Sequence, residues 1–158
     1  MSDRSVFASA FLIASLSLFG AFTIGQLFLF HLYEALIYVA IAIMVFYGEN
    51  RYSYMLGIFV PGLSLLRGLI MGGTIFREIG DFLRLVFTLS AEHNAALYGG
   101  VYIFGIVLLV SSARAYRREV GKQGLKQTLM VSGGIAVAHF TVAIYWWVAR
   151  ISQGQPLF

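Results

Sequence analysis

The chain has 158 residues, 59% of them hydrophobic and only 11% charged, with a mean hydropathy of +0.83. A water-soluble domain carries about 25% charged residues, so this chain has too little charge to cover a water-facing surface, which excludes a soluble enzyme, a disordered tail and a disulfide-stapled secreted module. Its net charge of +4 comes from 11 Lys+Arg against 7 Asp+Glu, and its lack of cysteine removes thiolate metal sites and c-type haem attachment.

The N-terminal Met-Ser-Asp-Arg and the apolar run behind it have the outline of a signal sequence. The run is too long for a cleaved apolar region, so a retained signal anchor is expected as the first span. From Val6 to Tyr47 the only strongly polar residues are Gln26, His31 and Glu34. As one straight helix this stretch would run to about 60 Å, twice the hydrocarbon thickness. It must fold back, with Gly20, Gly25 and Gln26 marking the turn, which predicts spans at 5–24 and 27–47.

Gly48-Glu49-Asn50-Arg51 reads as a polar turn. The stretch 52–73 is apolar except for Arg67 and contains Pro61-Gly62. A proline is tolerated in a membrane helix whose neighbours satisfy the freed carbonyl, so 52–73 is the third span, closed by Gly72-Gly73.

Over 75–89 the pattern changes. Ile75, Phe76, Ile79, Phe82, Leu83, Val86 and Phe87 share one helical face, and Arg77, Glu78, Asp81 and Arg84 take the other. Such a helix lies in the membrane interface, or sets the same face on a partner subunit or on the other helices; the amphipathic pattern fits both.

Ser90 is placed to cap the next helix and Glu92 to sit in its first turn, giving a fourth span at 91–113. The charge run that follows carries Arg114, Arg117, Arg118, Lys122 and Lys126. It reads as an inner-side loop that sets topology, with binding of anionic headgroups as the other use of the same charges. The fifth span covers 128–151, with Trp146 and Trp147 near its far end.

The expected fold is therefore an all-α integral membrane protein, a single membrane domain over 1–158 with five transmembrane helices, N-inside and C-outside. The inner side then holds Arg4, Arg51, Arg114, Arg117, Arg118, Lys122 and Lys126, against Arg77, Arg84 and Arg150 outside. That bias obeys the positive-inside rule and explains the basic balance without nucleic acid. Tyr47, Tyr52, Tyr54 and Tyr116 line the inner boundary, and Tyr145, Trp146 and Trp147 the outer one. There is no internal repeat.

His31, Glu34 and Tyr38 lie three and four residues apart, on one stripe of the second span. An ionisable residue inside a span faces the protein and has a partner. Glu34 and Arg67 sit at depths that agree to within ~2 Å when counted from the outer ends of their spans. This predicts an intramembrane Glu34–Arg67 pair with His31 above it. The competing reading has Arg67 reaching the outer headgroups and a protonated Glu34 bonded to a backbone carbonyl.

Histidine also raises haem or pigment ligation. Counted from span ends, His31 and His139 differ in depth by ~10 Å, which argues against one haem held by both. A single-histidine pigment, haem or quinone site at His139 stays open, beside a plain hydrogen-bonded histidine. His93 is expected in a solvated outer loop. Gly68 with Gly72, and Ala10 with Ala14, have the spacing of close helix contacts.

The sequence carries no HExxH, GxSxG or P-loop signature, and no span interior carries two carboxylates. The first expectation is therefore a non-catalytic subunit of a larger membrane complex, possible settings being electron transfer or light capture in a bacterial inner or other energy-transducing membrane. Its partners would be the bilayer and other membrane subunits or further copies of itself. The alternatives are a homo-oligomeric transporter or channel with a polar path at Glu34, Arg67 and His31, and a redox protein centred on His139. Composition and spacing leave the cofactor, if any, undefined.

Overall fold

The computed structural model describes residues 2–23, 27–48, 50–71, 74–89, 93–121 and 124–152. These form six helices: α1 (Ser2–Thr23), α2 (Phe28–Phe46), α3 (Asn50–Met71), α4 (Ile75–Thr88), α5 (His93–Glu119) and α6 (Leu125–Ser152). All but α4 are long and apolar enough to cross a membrane, with apolar stretches of 19 to 24 residues. Five such helices are consistent with a multi-pass membrane protein.

The helices form an up-and-down bundle, and side chains at its two ends show the order. At one end Tyr54, near the start of α3, donates toward Asp3 of α1 and Glu119 of α5, the latter at 2.6 Å. A side chain on Gly124, just before α6, would meet Arg51 at the start of α3. At the other end Gly20 of α1 lies against the ring of His31 near the start of α2. The same end holds Arg67 of α3 and Tyr98 of α5, which line one cavity with His31.

Helix α5 is the hub, packing on α1, α3 and α4. Two glycines allow its close approaches. A Cβ on Gly57 of α3 would collide with Ser112, and one on Gly99 would collide with the backbone carbonyl of Glu78 in α4. The core between the ends is apolar, built from Ala10, Ile13, Ile41, Val45, Leu56, Val60 and Leu108 among others. Helix α6 is peripheral: it packs on α3 and barely touches α2.

Two expected boundaries change. The basic run is mostly helix rather than loop, since Arg114, Arg117 and Arg118 continue α5 and Lys126 lies in the first turn of α6. Nothing in residues 114–119 breaks a helix. The reversal waits for Gly121, whose left-handed φ of 63° closes α5 with its N–H on the Tyr116 carbonyl. His93 opens α5, inside the expected 91–113 span and not in the solvated loop also expected for it. Gly25, Gln26, Glu49, Gly72, Gly73, Ser90, Glu92 and Lys122 lie outside the described residues, so the turns and cap assigned to them stand as sequence readings.

Helix α4 divides its apolar face. Ile75 is buried, Ile79 and Phe82 are half-buried, and Phe82 packs edge-on against Phe104 of α5. Phe76, Leu83, Val86 and Phe87 point away from the bundle, with Phe87 80% exposed. At 100° per residue the outward rings of Phe76 and Phe87 lie a little over a quarter of a turn from the bundle side, and the Arg77–Arg84 side lies about opposite the bundle.

Candidate functional site

The polar residues of α2 gather at the α4 end of the bundle. Glu34 accepts a hydrogen bond from the Arg67 guanidinium at 2.8 Å, with both side chains largely buried. The guanidinium also lies over the Phe30 ring, 5.6 Å from its centre. His31, 4% exposed, sits one turn before Glu34, with Nδ1 4.0 Å from the carboxylate and Nε2 3.1 Å from the Tyr98 hydroxyl. The i, i+3 spacing on α2 and the matched depths of α2 and α3 produce this arrangement. Arg67 is directed at Glu34 rather than at the headgroups.

Tyr38, Ser64 and Tyr102 complete the lining of a cavity of about 20 Å³ between α1, α2, α3 and α5. That is room for about one water molecule. Glu34, Ser64 and Arg67 also wall a second cavity of about 10 Å³, closed on its far side by Ala136, His139 and Phe140 of α6. The ion pair is thus a partition, with His31 on one side and His139 on the other. Below Tyr38 the buried side chains are mostly apolar, with small hydroxyls such as Ser9, Ser53 and Ser112 among them, so the charged cluster stops short of the opposite end of the bundle.

His139 is not where counting from span ends puts it. Its ring stacks on Tyr33 at 4.6 Å with a 15° tilt, and the Tyr33 hydroxyl donates to its backbone carbonyl at 3.3 Å. His139 therefore lies level with Glu34 and close to the depth of His31. The ~10 Å offset assumed the helices to be flush, but α6 has 28 residues and α2 has 19. At 1.5 Å per residue the longer helix overruns its neighbour by a dozen ångströms or so. The two histidines still do not frame one haem, for a different reason: the ion pair stands between them, and the cavity beside His31 is far too small for a macrocycle.

On its outer side His139 faces an open groove of about 420 Å³ between α2 and α6, lined by Tyr33, Leu36, Ile37, Ala40, Ile135, Ala138 and Val142. No local pattern of residues marks this groove, because it depends on α6 leaning on α3 and away from α2.

At the opposite end, Arg114, Arg117 and Arg118 are spread along the end of α5, with Arg114, Arg117, Arg118 and Lys126 exposed. The fully buried Tyr54 has one hydroxyl hydrogen but faces two carboxylates, Asp3 and Glu119. This group carries no local signature, because its members are far apart in sequence. Gly68 faces the Tyr102 hydroxyl and Ile75, and Ala10 and Ala14 are buried. No group of three or more His, Asp or Glu side chains poised for a metal ion occurs among the described residues. Comparison with protein families, curated proteins and solved structures finds no match for this chain.

Proposed function

We propose that this protein is a non-catalytic subunit of a larger membrane assembly, embedded with its N-terminus inside and its C-terminus outside. The observation that carries the reading is the closure of the polar cluster. Glu34 and Arg67 satisfy each other, His31 meets Tyr98, and the cavities beside them hold a water or less. A core of mainly apolar side chains and a few small hydroxyls separates the cluster from the far end. A buried pair of this kind fixes which helices meet and at what register, here α2 against α3.

Helix α4 supports the same reading. Its three sides meet the bundle, an outward aromatic strip and a pair of arginines, an arrangement suited to protein, acyl chains and water in turn. The exposed rings of Phe76 and Phe87 would then rest in the outer leaflet or against a neighbour.

The first test is extraction from native membranes in a mild detergent, followed by the mass, polypeptide composition and absorbance of the particle. Other polypeptides in fixed ratio are expected. A colourless homo-oligomer would overturn the subunit reading in favour of a polar path between copies. Topology is checked in the same membranes, since a chain without cysteine takes single reporters cleanly. A membrane-impermeant thiol reagent should label Arg77→Cys from outside and Arg117→Cys only after the membrane is opened.

A further inference from the structure

His139 is the odd group in this molecule. Its imidazole nitrogens make no hydrogen bond to any described residue, although the side chain is only partly exposed and sits within a membrane-spanning helix. A polar group in hydrocarbon without a partner costs several kcal/mol in principle. The cavity behind the ring, about 10 Å³, is at or below the size of one water. The remaining open direction is the α2–α6 groove.

The groove defines what could supply the partner. Its other walls are aliphatic, apart from the Tyr33 ring, and they carry no acidic or basic side chain. Tyr33 has already given its hydroxyl hydrogen to the His139 carbonyl. The imidazole lies level with Tyr33, about 8 Å inside the end of α2, where the charged headgroup of a phospholipid does not follow, and an acyl chain brings no polar atom. A neutral, membrane-dissolved molecule with an acceptor oxygen on a flat ring meets all these conditions. Its ring would lie beside the stacked Tyr33–His139 pair. Its tail would follow Leu36, Ile37 and Ala40 on one wall and Ile135 and Ala138 on the other, about 10 Å along the helices.

We propose that the α2–α6 groove binds a molecule of the quinone class, with a ring carbonyl accepting a hydrogen bond from the His139 imidazole. The proposal concerns binding alone and stands independently of the subunit reading.

The test uses the purified full chain in detergent and a ubiquinone carrying a ten-carbon tail. Tryptophan fluorescence quenching gives the affinity, and the infrared carbonyl band of the ring-labelled quinone reports the hydrogen bond. Saturable binding with a downshifted carbonyl is expected. His139→Phe, which keeps an aromatic ring on Tyr33, should lose the downshift and weaken binding about tenfold, the loss of one hydrogen bond. Ala40→Phe, which fills the groove from the other wall, should abolish saturable binding while the thermal transition stays in place. Absence of saturable binding to the wild type would overturn the proposal, as would unchanged binding in Ala40→Phe. It also fails if Ala40→Cys cross-links two copies, or if Ala40→Phe releases a polypeptide from the native particle, for then protein fills the groove.

Discussion

The two flanks of α2 treat histidine in opposite ways. On the flank toward α1 and α5, His31 is buried, bonded to Tyr98 and held one turn from a carboxylate that is itself paired. On the flank toward α6, His139 has a stacking neighbour but no ring hydrogen bond among the described residues, and it faces an open groove. Depth, helix type and residue are nearly the same. What differs is how many helices converge: four meet around His31, while α2 and α6 scarcely touch. A polar group enclosed by packed helices must find its partners within the protein and becomes part of the fold. The same group at a gap keeps an open side.

The sharpest way to break this contrast is to unpair the closed flank. Arg67→Met leaves Glu34 buried without its cation and should cost about 3–5 kcal/mol, read as a large drop in the detergent melting temperature. The double variant Glu34→Gln with Arg67→Met should recover most of that loss. Equal losses in single and double variants would show that the pair is not what locks α2 to α3.

Next in size is the seam between α4 and α5. Gly99→Leu places a side chain where the Glu78 carbonyl lies, and should cost about 1–3 kcal/mol. Limited proteolysis within 75–89 should accelerate, since α4 must shift to make room. A smaller loss within a similar range, about 1–2 kcal/mol, is expected for Tyr98→Phe, which leaves His31 Nε2 unsatisfied. If Tyr98→Phe proves neutral, the closed flank is less closed than its geometry implies.

Glu78 tests the edge of the closed flank by pH. Burial raises its carboxyl above the ordinary value, only partly offset by the Thr74 hydroxyl that donates to it at 2.9 Å; its other oxygen has no partner among the described residues. An acid raised in the folded state holds its proton more tightly folded than unfolded. The docked α4 therefore gains stability as pH falls through the raised value, and above it carries the cost of the charged form. Protease protection of α4 should thus improve on mild acidification, and Glu78→Gln should flatten the response while protecting α4 slightly at neutral pH.

The smallest effect belongs to the open flank. His139→Phe should not lower the melting temperature and should raise it slightly, because it keeps the stack on Tyr33, loses no ring hydrogen bond to a described residue and removes an unpartnered polar group from the membrane region. A large loss there would erase the contrast between the two histidines.

Much of this was legible in the chain itself. The spans follow from runs of apolar residues long enough to cross hydrocarbon, a local property that composition alone reveals. The meeting of Glu34 and Arg67 followed too, since both lie near the ends of adjacent helices, where counting residues measures depth well. The same counting failed for His139, because α6 is longer than α2 and its end is no guide to where they pass each other. The division of the α4 face, with Phe82 inward and Phe87 outward, was likewise invisible: periodicity gives one apolar stripe and does not say which part of it a neighbour covers. Tyr54 with Asp3 and Glu119 joins three helices and carries no local signature. Sequence determined which segments are long and apolar enough to cross a membrane and which charges needed a partner, since those energies depend on each residue and its solvent. Only the tertiary structure decided where helices separate, because a gap such as the α2–α6 groove belongs to no residue and arises from how unequal helices lean on one another.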